Sequence, residues 1–194
     1  FDERGTIGDF IGDAIMAYFG APMPAEDHPA RALRSAVRMQ TRLAQLNEQW
    51  RAEGLPALKM RIGIHTGEVI LGNIGSERRT DFTIIGDAVN LSARLEGANK
   101  AFGTYTMVSE TALESAGPGF HTRELARIVV KGKTKPIAVH ELFGFDGHPG
   151  EQRDAALLQG YAAALREFYA GGFGAAEPRF RELHERFGYK AARF

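Results

Sequence analysis

Asn90 and Arg94 stand four residues apart in the stretch 82–94, FTIIGDAVNLSAR, where an apolar strand breaks at Gly86-Asp87 and a helix is expected from Ala88 onward. On a helix that spacing sends both side chains off one face, about one turn apart. Arg supplies a rigid fork of charged donors, and Asn places a neutral donor and acceptor beside it, a combination suited to an anionic, oxygen-rich ligand. The same spacing serves equally well for a solvated surface Arg and an Asn bonded to its own backbone. The pair gains chemical meaning only from the rest of the chain.

Asp13 is the next candidate. In 10–19, FIGDAIMAYF, two short β-prone runs flank Gly12-Asp13, which reads as a tight hairpin turn with Asp13 at its tip. Asp is an ordinary turn former. The flanking Ile11, Ala14, Ile15 and Met16, however, predict a buried hairpin, in which a carboxylate needs a cation or a metal. Arg78 and Arg79 fall in an expected loop, 75–81, where arginines usually face solvent but where a polyphosphate tail would also want them. A lysine-dense loop, KGKTKP, holds Lys131, Lys133 and Lys135; it imitates the end of a phosphate-cradling P-loop, but Arg127 stands where the leading Gly is required, so that motif is absent. His65 is one of six histidines and has no HxxxH or HxH spacing around it, so it reads as structural.

The elements that must carry these residues are legible from periodicity. A helix over 29–50 starts with Asp27 as a cap and Pro29 in its first turn, and buries Leu33 and Val37 behind a flank of Arg31, Arg34, Arg38 and Arg42. A strand alternates over 58–66 and a second apolar run covers 69–74. After the helix that ends near Lys100 come a strand at 105–109, a helix at 109–115 capped by Ser109, and two strands at 126–131 and 137–143. Beyond a linker at 144–150, two helices at 151–169 and 174–187 share the packing set Leu158, Tyr161, Leu165, Phe168, Phe173, Ala176, Phe180 and Leu183. They resemble one unit of a helix-pair repeat, which must dock on the domain or continue an array because one unit cannot bury its own face.

Composition bounds the function. With 194 residues and 44% hydrophobic content, the chain can bury a real core as one domain plus a short appendage. Lys+Arg and Asp+Glu are equal at 24, which gives no general basicity for nucleic acid. The absence of cysteine excludes disulfides and thiolate metal sites and fits a reducing interior. No apolar run approaches the ~20 residues of a membrane span and no signal peptide is present, so the segment is expected to be cytoplasmic and to make no membrane contact. Its abrupt opening, FDERGTIGDF, reads as a piece of a longer polypeptide, which leaves room for a membrane tether in a missing N-terminal region.

Taken in order, FIGDAIMAYFG, RIGIHTGEVILGNIG, FTIIGDAVNLSARLE and VVKGKTKP closely resemble the class III adenylate and guanylate cyclase catalytic domain, over residues 1–145. The resemblance implies an α+β, ferredoxin-like fold with a mostly antiparallel sheet and packing helices, followed here by the C-terminal helical hairpin at 151–194. It implies conversion of ATP to 3′,5′-cyclic AMP and pyrophosphate, the ribose 3′ hydroxyl attacking the α-phosphate, with two Mg²⁺ or Mn²⁺ ions per site. It also implies a homodimer with shared sites. Asp13 matches a metal aspartate; Asn90 and Arg94 match the pair that orients the ribose and stabilises charge on the α-phosphate, supplied by the other subunit. Lys131 matches the lysine that grips the terminal phosphates, with Arg78 or Arg79 assisting. Phe10 and Gly12 flank the metal aspartate in the same substrate-binding hairpin.

Two departures accompany the match. The family's first metal aspartate lies on an opening strand that has no counterpart here, so the fragment alone is expected to be inactive. The base-reading pair is split: Thr83 fits the adenine pattern, whereas Asp9 stands where adenylate cyclases place Lys, and an ionised carboxylate only accepts hydrogen bonds, as guanine recognition requires. The alternatives are therefore a guanylate cyclase acting on GTP, or a catalytically inactive cyclase-fold module that binds nucleotide or regulates. A diguanylate cyclase is set aside because Gly12-Asp13-Ala14-Ile15 lacks that family's Gly-Gly-acid-Glu-Phe hairpin.

Overall fold

The computed structural model describes residues 2–76, 79–129, 136–148, 150 and 153–188, with backbone alone at 75–76 and 79–81. Its elements run β1 (Thr6–Ile11), β2 (Ala14–Tyr18), α1 (His28–Ala52), β3 (Ile62–Ile64), β4 (Ile70–Ser76), β5 (Arg79–Ile85), α2 (Asp87–Phe102), β6 (Thr106–Ser109), α3 (Glu110–Ala116), β7 (Phe120–Ile128), β8 (Ile137–Phe145), α4 (Ala155–Tyr169) and α5 (Phe173–Phe187). The class is α+β. A four-stranded sheet in the order β3-β6-β8-β7 is antiparallel except for the β3/β6 pair, and the hairpins β1-β2 and β4-β5 form separate two-stranded ribbons.

Strand β6 is the spine of the larger sheet. All four of its residues are buried, and it pairs with β3 on one side and β8 on the other. Around it lie two apolar clusters. Leu33, Ala36 and Val37 of α1 meet Ile64, Val108, Ala112 and Leu142 in one; Leu91 and Leu95 of α2 meet Met107, Leu125, Ala126 and Val139 in the other. Each fully buried Leu contributes about 1.5–3 kcal/mol through its removal from water.

Contact between α2 and β3 is unusually close. A Cβ on Gly63 would lie 2.1 Å from the Ser92 carbonyl oxygen and 2.3 Å from the Glu96 nitrogen, so only glycine lets this helix rest on this strand. Asn99, fully buried, adds a polar tie: its Nδ2 donates to the carbonyls of Ile62, Leu95 and Glu96, and its Oδ1 accepts from Thr104 Oγ1 at 2.8 Å. Arg61 Nε reaches Glu96 Oε1 at 3.1 Å.

Several expectations from sequence need correction. The strand expected over 58–66 shrinks to three residues because the backbone before it is satisfied by α1 side chains: Asn47 exchanges two 2.8 Å bonds with Leu58, and Gln40 Nε2 donates to the Met60 carbonyl. The expected loop 75–81 is instead strand, since pairing continues out to Ser76↔Arg79 and leaves only 77–78 between the two strands. The strand expected at 126–131 begins earlier, at Phe120, and ends at Ile128. Asp27 occupies the N-cap position of α1 without capping it; its carboxylate turns to Arg31 Nε at 2.7 Å. Part of the basic flank of α1 is also paired, with Arg34 and Arg38 both reaching Glu3.

The C-terminal helices dock on the sheet. Their shared core is Leu157, Tyr161, Ala164, Leu165, Ala176, Phe180 and Leu183; Leu158 is only half-buried and Phe173 is exposed, both departing from the expected packing set. Tyr161 Oη donates to the Leu125 carbonyl at 3.0 Å, and the Arg123 guanidinium lies 4.4 Å from the centre of the Tyr161 ring. Beneath them Glu141 accepts from Arg123 at 2.8 Å and from Arg153 at 2.7 Å. The side chains of this clasp are 1%, 3% and 9% exposed for Glu141, Arg123 and Arg153. Among the described residues no helix is long and apolar enough to cross a membrane.

Candidate active site

Asp13 sits where the sequence places it. Ile11 pairs with Ala14, so Gly12 and Asp13 form a two-residue turn, and Gly12 takes the positive φ of 63° that its first position demands. The hairpin is not buried, however. Phe10, Ile11 and Ile15 are 67%, 60% and 57% exposed, whereas at the base of the ribbon Tyr18 is buried and its ring lies against Gly8. Asp13 itself is exposed, as is Asp9, whose Oδ1 accepts from the Phe10 amide at 2.8 Å. Thr83 lies on β5 opposite Gly72, half-buried, and β5 runs beside β1, so both base-reading candidates stand on neighbouring ribbons of one chain.

Asn90 and Arg94 are both exposed on α2, whose opposite stripe, Leu91, Leu95 and Asn99, is buried. The helix thus presents this pair to solvent while its buried face is locked to β3 and the sheet. Beside its N-terminus an open groove of about 620 Å³ is walled by Val69, Ile70, Ile85, Gly86 and Glu68. Arg78 and Lys131 lie outside the described residues, and nothing is said of the Arg79 side chain. His65 is structural as expected, its Nδ1 sitting 2.7 Å from Ser109 Oγ, which also caps α3 by accepting from the Ala112 amide.

Among the described residues no group of three acidic or histidine side chains is placed to hold a metal ion. The exposed carboxylate of Asp13 offers hard oxygen donors, the chemistry that Mg²⁺ or Mn²⁺ takes from one or two carboxylates together with substrate phosphates. Arg31 holds the Asp27 carboxyl below its ordinary value at the start of α1; the other described groups whose titration the fold perturbs belong to the C-terminal clasp and the sheet. Burial pushes the Tyr161 hydroxyl up to about 12. Tyr169 is raised by burial and by its hydrogen bond to Glu124, and half-buried His140, whose buried Nε2 has no hydrogen-bond partner among the described residues, is held below its ordinary value by desolvation.

Sequence reasoning missed the two residues that fix the exposed face of α2 in space, Gly63 and Asn99. A signal existed for the first: a lone Gly inside a strand marks a close backbone approach. Asn99 gave none, since a polar residue in the last turns of a helix is usually solvated.

Comparison with known proteins places this geometry. Residues 8–143 match the adenylate and guanylate cyclase catalytic domain. Adenylate cyclase 1 of Rhizobium meliloti is 36% identical over 140 residues, 72% of this chain and 21% of that protein, so the chain spans about a fifth of that relative's length. The crystal structure of the guanylyl cyclase Cya2 aligns with a TM-score of 0.67 at 38% identity, covering 75% of this chain and 73% of that one. The adenylyl cyclase CyaB from P. aeruginosa aligns with a TM-score of 0.65 at 31% identity, covering 79% and 76%. With the family matched across most of its length and the cyclase fold shared with both structures, the chain belongs to the adenylate and guanylate cyclase catalytic domain family.

Proposed function

We propose that this chain is the catalytic domain of a purine nucleotide cyclase that converts ATP to 3′,5′-cyclic AMP and pyrophosphate, each site being completed by two copies of the chain. The observation that carries this reading is that Asp13, Asn90 and Arg94 all face solvent in a chain whose two ribbons also expose Ile7, Ile11, Ile15, Ile70, Phe82 and Ile85. Exposed apolar surface of this kind, next to exposed polar groups on separate elements, is what an interface between copies would cover.

In this reading Asp13 contributes a carboxylate to divalent ions, which neutralise the phosphates and lower the pKa of the attacking hydroxyl when bound. Asn90 orients the ribose through its carboxamide. Arg94 supplies two parallel donors to the α-phosphate as charge builds on it, so its contact strengthens in the transition state and acts on turnover more than on substrate affinity. Lys131 and Arg78 would hold the terminal phosphates. Thr83 favours adenine.

A second reading, cyclic GMP from GTP, rests on Asp9, whose exposed carboxylate can accept from guanine N–H groups. Product formation from ATP and from GTP, with the full-length protein and Mn²⁺, decides between them. The absence of cyclic product from either leaves the non-catalytic module. Complementation tests the shared site. Mixing an Asp13→Ala chain with an Arg94→Ala chain should restore one working site per heterodimer, and failure with heterodimers demonstrably formed removes the two-copy arrangement.

A further inference from the structure

The two residues that bring α2 into contact with β3, Gly63 and Asn99, touch neither of the exposed candidates and yet bracket them. The Ser92 carbonyl, which a Cβ on Gly63 would approach to 2.1 Å, belongs to the turn between Asn90 and Arg94; the Glu96 nitrogen, at 2.3 Å, lies about one turn beyond Ser92. Asn99 then fixes the following turn by donating to the Ile62 carbonyl, one residue before Gly63, at 3.0 Å, while its Oδ1 is held by Thr104. About two turns of the helix, from Ser92 to Asn99, are thus registered against two residues of one strand. All of the ties are backbone or buried, so they cannot be absorbed by the swing of a flexible surface side chain.

We infer that Gly63 and Asn99 are positioning residues for the Asn90/Arg94 half-site, setting how far and at what height α2 presents that pair. The inference rests on the reading of Asn90 and Arg94 as a half-site that serves the partner copy. Its physical basis is a length. Ordinary contact with a Cβ begins near 3.4 Å, so Gly63→Ala must lift the turn carrying Asn90 and Arg94 by roughly 1 Å, and a displacement of about 1 Å in a group that aligns reacting atoms costs about a hundredfold in rate. Asn99→Ala acts on the same contact without adding bulk: it removes the donor to the Ile62 carbonyl and releases the helix end from the strand.

Half-site complementation in the full-length protein separates positioning from general damage. Homodimers of Gly63→Ala should lose about tenfold to a hundredfold in kcat with little change in KM for the metal–nucleotide. Mixed with an Asp13→Ala chain, whose α2 is intact, Gly63→Ala should recover one working site; mixed with an Arg94→Ala chain it should not. Asn99→Ala should behave in the same way, and it stands in should Gly63→Ala fail to fold. Recovery with both partners, recovery with neither, or an undiminished kcat overturns the inference. The mixture of Asp13→Ala with Arg94→Ala is the reference. If that mixture itself fails, the two-copy reading falls, and the inference is then judged by amide resonances of residues 90–96, which must shift in Gly63→Ala; unmoved resonances overturn it whatever the activity.

Discussion

Replacing Glu141 by Gln removes the anion to which two buried guanidinium groups both donate and keeps nearly the same shape. Arg123 and Arg153 each donate to a different carboxylate oxygen, at 2.8 and 2.7 Å, and Glu141 is almost fully buried beneath them. The amide can still accept a hydrogen bond, but both cations lose the charge of this shared partner in a site where all three side chains are nearly buried. Removing one partner from a buried ion pair costs about 3–5 kcal/mol, about a fifth or more of the roughly 5–15 kcal/mol that holds a domain together. With a urea slope of about 2 kcal/mol per molar, the midpoint should fall by roughly 2 M. The companion variant, Arg123→Met with Glu141→Leu and Arg153→Met, removes all three charges together and should lie within about 1–2 kcal/mol of the native protein or above it. Equilibrium urea unfolding followed by far-ultraviolet circular dichroism reads both variants. A loss below about 1 kcal/mol for Glu141→Gln refutes the reasoning, because it would mean that the three groups are solvated and that α4 is not clamped to β7 and β8 by charge.

Tyr161→Phe should cost about 1–2 kcal/mol by leaving the buried Leu125 carbonyl without its donor, measured by the same unfolding curves. The raised hydroxyl of Tyr161 also fixes a pH window: its stabilisation is complete below the ordinary value of 10 and is lost as pH climbs from 10 to about 12, so the alkaline fall in melting temperature should be shallower in Tyr161→Phe. His140 has the opposite sign. Its value is depressed by burial against the opposing carboxylates of Glu124, Glu110 and Glu114, so stability is complete above 6.5 and falls as pH drops below it; melting temperatures at pH 7.5 and 5.5 should converge in His140→Phe relative to the native chain. Ser109→Ala should lose about 1 kcal/mol from the α3 cap, with a further loss at His65 Nδ1, and an unchanged melting temperature would show that the cap is not formed in solution.

The sequence disclosed what local pattern controls. The helices that became α1 to α5, the two-residue turn at Gly12-Asp13 and the Ser109 cap all follow from periodicity and short-range hydrogen bonding. So did the juxtaposition of Asn90 and Arg94, because four residues on a helix always share a face. What failed depended on partners distant in the chain. Residues 58–60 alternate as a strand should, yet their backbone is claimed by Asn47 and Gln40 across the fold. Residues 75–76 and 79–81 lack a strand's apolar pattern, yet they pair because a two-stranded ribbon is held there by its backbone bonds rather than by a buried face. Ile11 and Ile15 looked like core and are surface, since hydrophobicity alone does not say whether the apolar neighbour lies in the same chain. The Arg123, Glu141 and Arg153 clasp gathers residues up to 30 positions apart and left no trace in any local window.

Strand β6 divides the molecule by timescale. With every residue buried and neighbours bonded on both sides, its amides can exchange with solvent only when the whole sheet opens, whereas the ribbons β1-β2 and β4-β5, each paired on one side only and wet on one face, can fray singly. Asn90 and Arg94 ride on the helix fastened to the slow part, and Asp13 rides on the tip of a fast one. A deuterium-exchange time course should therefore label the Asp13 turn long before the amides of 91–99 or 106–109. The two kinds of chemistry proposed for this surface would then differ in tempo as well as in place, with one group held ready and the other arriving.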